Sequence, residues 1–151
     1  MLLDEPFSNI DNFKKQSLRR KLFKHLKEKG ISCIVATHDK DDVLGYADSM
    51  LVLDNSKIIA IDSPENLYKN PKNALIASFF DEFNSLDSEF FYAHQIKVVP
   101  KSDLKATVKK NYFKGKNYLI EADLNGQSIF FEHPNHLVEN TEVNIILNNN
   151  L

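Results

Sequence analysis

Two neighbouring carboxylates, Asp4 and Glu5, follow the apolar run Met1-Leu2-Leu3, and His38 follows a second run, Ser32-Cys33-Ile34-Val35-Ala36-Thr37. Ligands of parallel α/β sheets sit in the crevice beyond the carboxyl ends of the strands, so side chains at those ends are the ones offered for chemistry. Adjacent carboxylates suit phosphoryl transfer from a nucleotide, one standing near a hydrated magnesium ion and the other positioning the attacking water. Taken alone, Asp-Glu-Pro is also an ordinary way to end a strand and begin a turn, and a histidine at a strand-to-helix turn is more often a capping residue than a ligand.

The elements that must position these groups follow from the pattern around them. Asp11 is placed to cap a helix running to about Lys29, with Leu18, Leu22 and Leu26 as its buried stripe and Gly30 as its stop. Eight basic residues between Lys14 and Lys29 lie away from that stripe and read as a solvated face. Residues 31–37 are apolar and β-branched, the pattern of a strand buried on both faces of a parallel sheet. Asp39, Asp41 and Asp42 then crowd the first turn of a short helix ending near Tyr46, where they complement the helix N-terminus and match no common metal-ligand spacing. Met50–Leu53 and Lys57–Ile61 form a hairpin through Asp54-Asn55-Ser56, and Ser63-Pro64-Glu65 opens another helix. The spacing of Leu75, Ile76, Phe79, Phe80 and Phe83 predicts a further helix over 73–87.

Near residue 88 the texture changes. Five strands are predicted, at Gln95–Val99, Leu104–Asn111, Asn117–Leu124, Gln127–Glu132 and Glu142–Leu147, with turns at Lys114-Gly115-Lys116 and at Asn125-Gly126, a strong two-residue hairpin signal. Short strands at this density suggest a small barrel or sandwich. His133 and His136 flank Pro134 without partnering acids, a poor basis for a metal site.

The ordered set Leu2-Leu3-Asp4-Glu5-Pro6-Phe7-Ser8-Asn9-Ile10-Asp11, a helix, a buried strand and Ala36-Thr37-His38-Asp39 resembles the ATPase subunits of ABC transporters. The stretch from Lys57 to Pro71 is similar to the segment that closes those ATPase domains. The resemblance implies an α/β fold for residues 1–88, the C-terminal part of a P-loop NTPase parallel sheet with flanking helices. It makes the Asp-Glu strand the Walker B motif, with Asp4 holding magnesium through water and Glu5 as general base. His38 becomes the switch residue on the terminal phosphate, and Ser8 and Asp11 lie in the D-loop at the dimer interface. The cofactors implied are ATP and Mg2+. The partners are a second, identical ATPase subunit, transmembrane permease subunits and, indirectly, a substrate-binding protein, with the subunit peripheral to the cytoplasmic face of the membrane.

Residues 89–151 are similar to the TOBE domain, a small all-β, OB-like module, through Lys105-Ala106-Thr107-Val108, Phe113–Ala122, Asn125-Gly126-Gln127 and Glu142–Leu147. Where that family often has a glycine before the last strand, this chain has Glu139-Asn140-Thr141. The cargo implied is ferric iron, a polyamine, sulfate, molybdate or a sugar. Two other readings stand beside the transport ATPase: a small-ligand (oxyanion or sugar) binding module on a truncated ATPase scaffold, and a different P-loop ATPase of DNA repair or translation.

Composition narrows the field. Net charge is -2, with 12 basic and 14 acidic residues over 1–88 and 7 of each over 89–151, which does not suit a nucleic-acid partner. One cysteine, Cys33, cannot form an internal disulfide and fits a reducing compartment. The sequence has no glycine-rich loop ending in lysine, no Leu-Ser-Gly-Gly-Gln signature and no glutamine loop; Gly115-Lys116 is followed by Asn117. The expectation is therefore of a fragment whose parent hydrolyses ATP and which alone neither binds it tightly nor turns it over.

Overall fold

A computed structural model describes residues 1–148. The chain folds as two compact units, Met1–Tyr68 and Lys69–Leu151. The division falls earlier than the change of texture near residue 88.

In the first unit, strand β1 (Leu2–Asp4) runs parallel to β2 (Ile34–Ala36), with Leu2 opposite Ile34, Leu3 opposite Val35 and Asp4 opposite Ala36. Helix α1 (Asn12–Glu28) connects them, as a parallel crossover requires. Both strands are three residues long and neither is buried on both faces: Leu2 and Ile34 are 73% and 71% exposed. A two-stranded sheet has no neighbouring strands to cover such side chains, which corrects the fully buried strand expected at 31–37. Helix α2 (Lys40–Val43), the antiparallel hairpin β3 (Met50–Asp54) and β4 (Lys57–Asp62), and helix α3 (Pro64–Lys69) follow. The hairpin turns at Asn55-Ser56, both with positive φ.

Helix α1 buries the expected leucine stripe only in part, with Leu26 buried and Leu22 half-buried. Leu18 is 39% exposed, and its buried residues are Arg19 and Leu26. The buried row passes through Lys15, Arg19, Leu22, Phe23 and Leu26, because the loop after β1 places Phe7 against it. Phe7 lies 6.0 Å from the Phe23 ring, which stacks on Tyr46 at 4.5 Å.

The second unit contains helix α4 (Ala74–Phe80), capped by the Asn73 side chain on the Ile76 N–H, and then a hairpin, β5 (Phe83–Leu86) and β6 (Glu89–Tyr92). The helix predicted over 73–87 thus ends at Phe80. From Phe83 the burial alternates, Asn84 and Leu86 inward, and Asp87-Ser88 form the turn with φ of 49° and 69°. Asn84 explains the switch. Its side-chain amide donates to the Phe91 and Phe130 carbonyls and its oxygen accepts from the Phe130 N–H at 2.6 Å, pinning the hairpin to the sheet.

Five strands, β7 (Ile96–Val99), β8 (Leu104–Phe113), β9 (Tyr118–Leu124), β10 (Gln127–His133) and β11 (Glu142–Leu147), form one antiparallel sheet in the order β10-β9-β8-β11-β7. Its inner face is an apolar core of Ile96, Val108, Ile120, Ile129, Phe131 and Ile145, all fully buried, and the edge strands β7 and β10 also touch. Before β11, Asn140 takes φ 61°, the left-handed conformation a glycine would favour, and its N–H donates to the Val108 carbonyl at 2.8 Å. The fold is mixed α/β with mostly antiparallel strands.

Asn84 completes three hydrogen bonds while buried, so Asn84→Ala strands the Phe130 amide and two carbonyls. The expected cost is about 1–3 kcal/mol, read as a lowered midpoint of urea unfolding.

Candidate functional site

Glu5 stands at the carboxyl end of β1 in a conformation that few residues adopt. Its φ is 45°, and it precedes Pro6. Three hydrogen bonds hold it: its N–H donates to the Ala36 carbonyl at 2.9 Å, and its own carbonyl accepts from the Ser8 N–H and the Ser8 hydroxyl at 3.2 and 3.0 Å. Phe7, 4% exposed, anchors the loop one residue after Pro6.

His38 stands at the carboxyl end of β2, beside that same strand end. Its Nδ1 lies 2.6 Å from Glu5 Oε1, with the histidine side chain 82% exposed and the glutamate 35%. An ionised carboxylate only accepts, so Nδ1 carries the proton and Nε2 is left for another partner. The bond to Glu5 and then its charge hold the imidazole above the usual histidine pKa of 6.5; Asp39 adds to this and Lys15 opposes it.

Behind His38 lies a cluster that the sequence did not reveal as such. Arg19, 1% exposed, donates from Nε to Asp42 and from Nη2 to Asp39, with Asp41 3.5 Å from Nη1. Asp42, 5% exposed, also accepts the Thr37 hydroxyl at 2.6 Å. Asp39 caps α2 through the Asp41 N–H, as expected, and partial burial works to raise its carboxyl. That bond, Arg19 and Lys15 outweigh the burial, so Asp39 titrates below the usual carboxylate value. Arg19 was expected on a solvated face, and is instead the ion that ties α1 to this turn. The available signal was its place in the row Lys15, Arg19, Leu22, Leu26, together with three acids and a single base, Lys40, in the four residues after His38.

The other expected site residues surround the pair. Asp4 ends β1 as an exposed carboxylate opposite Ala36. Ser8 closes the turn on Glu5. Asp11 holds the N-cap position of α1 but its side chain makes no capping bond, and its carboxylate is exposed. No group of three or more potential metal ligands occurs among the described residues.

His38 is expected to titrate above 6.5, and Glu5→Gln to return it toward that value, read from the His38 ring-proton shifts against pH. Because the folded pKa is the higher one, the stabilisation from this exposed pair is fully present below pH 6.5 and fades as pH rises through the folded value. A midpoint unchanged by Glu5→Gln would contradict the assignment of the shift to Glu5.

No protein-family model matches the chain. It is 30% identical over 166 aligned positions to the Fe(3+) ions import ATP-binding protein FbpC of Haemophilus influenzae, an alignment covering 88% of this chain and 47% of the relative. It is 29% identical over 120 positions to the spermidine/putrescine import ATP-binding protein PotA of Mycoplasma genitalium, covering 80% and 22%. It is 31% identical over 125 positions to the sulfate/thiosulfate import ATP-binding protein CysA of Caulobacter vibrioides, covering 80% and 37%. The chain spans less than half the length of these relatives. All three are ATP-binding proteins of import systems, the kind of subunit to which the carboxylates, the loop after them and the histidine already pointed.

Proposed function

We propose that residues 1–88 are the C-terminal part of the ATPase domain of an ABC importer subunit, carrying its catalytic carboxylate and switch histidine, and that residues 89–151 are a TOBE-like domain. The observation that carries the reading is the 2.6 Å contact between Glu5 and His38, made by residues at the carboxyl ends of adjacent parallel strands. The similarity to ATP-binding proteins of importers supports it. The antiparallel five-stranded sheet, with Asn140 in a glycine-like conformation before its last strand, is consistent with a small OB-like module.

In this reading Glu5 polarises the water that attacks the terminal phosphate. Asp4 holds the water shell of magnesium, which supplies charge neutralisation on the phosphates when bound. His38 keeps its Nδ1–H on Glu5 while Nε2 faces outward, and as an imidazolium it donates from Nε2 to a phosphate oxygen. Ser8 and Asp11 belong to the loop that meets a second, identical subunit. The partners are permease subunits and, through them, a substrate-binding protein, at the cytoplasmic face of a membrane. No helix among the described residues is long and apolar enough to cross one. The cargo is a metal ion, a polyamine or an oxyanion, as in the relatives' names.

A chimaera tests the reading. With residues 1–88 replacing the aligned segment of the Haemophilus influenzae relative, ATP hydrolysis is expected to persist, and Glu5→Gln in that chimaera to lower kcat about 10²- to 10⁴-fold. A Glu5→Gln chimaera hydrolysing ATP as fast as its parent would refute the role given to Glu5.

The chain by itself lacks the glycine-rich loop that wraps phosphates. Calorimetric titration of the 151-residue chain with Mg-ATP is therefore expected to show no saturable binding; micromolar affinity, about -8 kcal/mol, would overturn this.

A further inference from the structure

We propose that Arg19 is a positioning residue for the Glu5–His38 pair, gripping at once the two turns that carry its members. The proposal rests on reading that pair as the functional site, and it adds a residue that none of the motifs contains.

Arg19 meets each turn separately. Toward β1, its guanidinium carbon lies 5.6 Å from the centre of the Phe7 ring, and Phe7 is two residues from Glu5 in the loop whose carbonyl at Glu5 is closed by Ser8. Toward β2, the guanidinium binds Asp39, the residue after His38, and Asp42, which also holds the Thr37 hydroxyl, the residue before His38. The Asp39 N–H donates to that same Thr37 hydroxyl at 3.0 Å. His38 is thus fixed at both neighbouring residues while its own side chain is 82% exposed and its ring meets Glu5. Arg19 meets the Phe7 loop and the Asp39–Asp42 turn with one buried group, beside the ring chain Phe7–Phe23–Tyr46 and the contacts of Lys15 with Asp39 and Gln16 with Asp41, and without it the two ends of the pair lose that shared buried contact. The planar fork of arginine matters here because it serves Asp39 and Asp42 with separate nitrogens.

Charge and positioning predict opposite signs for one observable. The charged groups facing His38 are Glu5, Asp39 and Lys15. Arg19→Gln removes a cation near Asp39, which by charge alone raises the His38 pKa. If Arg19 positions the pair, the bond to Glu5 loosens, and that bond is the largest influence holding the pKa up.

The experiment follows the His38 ring protons against pH in the full chain, in wild type, Arg19→Gln, Arg19→Lys, Glu5→Gln and the double variant Arg19→Gln/Glu5→Gln. Circular dichroism and the amide spectrum establish that each is folded. The expected result is a fall of the His38 midpoint in Arg19→Gln toward that of Glu5→Gln, with no further fall in the double variant. Arg19→Lys keeps the charge and much of the stem but loses the fork, so it is expected to fall too; it carries the test if Arg19→Gln does not fold. A folded Arg19 variant whose His38 midpoint stays or rises overturns the proposal. The readout needs no nucleotide, so its failure is distinct from failure of the hydrolysis assigned to Glu5.

Discussion

A guanidinium removed from water is among the most expensive groups a small domain can bury, and it is tolerated only where its donors are matched. Arg19 meets that condition with two carboxylates, one of them buried with it, and with an aromatic face. Apolar residues in place of both Arg19 and Asp42 would avoid the desolvation cost altogether. They would not select one rotation of α1 against the turn after β2, whereas a fork that must satisfy Asp39 and Asp42 together tolerates little slippage. The first unit has few other means of fixing that geometry, since its strands are three residues long and their pairing alone is weak. The ionic cluster thus supplies orientation where hydrophobic packing is thin.

The two units solve the burial problem differently. The second closes on itself: Ala106 and Val108 of β8, Ile120 and Ala122 of β9 and Ile129 and Phe131 of β10 point inward and are fully buried. The first leaves Leu2, Ile34, Leu53, Ile58 and Ile61 more than half exposed. Apolar runs of that kind in a short sheet are the surfaces on which further strands or a partner pack. On the proposed reading, β1 and β2 belong to a larger parallel sheet, and their composition suits that sheet rather than the pair seen alone.

That contrast explains what could be read from sequence. Turns were legible because their chemistry is local: Asn125-Gly126 takes φ of 55° and 86°, and Asn55-Ser56 turns the hairpin expected there. The strands of the β-rich region were legible to within a few residues because both faces of their alternation are realised in one unit. Burial at 31–37 was misread because composition reflects the surroundings a strand is suited to, whichever of them the chain supplies. The β5–β6 hairpin was hidden because Leu75, Ile76, Phe79, Phe80 and Phe83 keep helical spacing up to the residue where the strand starts, and Asp87-Ser88 is a weaker turn signal than Asn-Gly. Asn84 and Arg19 escaped for a common reason. Each is a polar residue whose partners lie 7 to 46 and 20 to 23 positions away, and no periodicity encodes a hydrogen bond at that range.

The backbone at Glu5 bears on how the pair could work. A non-glycine residue in the left-handed region costs of order 1–3 kcal/mol and persists only where its surroundings over-determine it. Here the Ala36 carbonyl, Ser8 and the buried Phe7 do so. An ordinary extended residue at that position would continue the line of β1; the turn instead brings the carboxylate across to β2. The strain is therefore spent on aim. His38 needs no such device, because its neighbours are clamped and its ring is free in solvent on every side but that of Glu5. The three contacts made by the Glu5 backbone fix the point from which its carboxylate reaches out, and the His38 ring keeps its outer face open to solvent. On the proposed reading, the backbone at Glu5 sets where the base starts from, and the exposed ring of His38 is the member of the pair left open to a ligand.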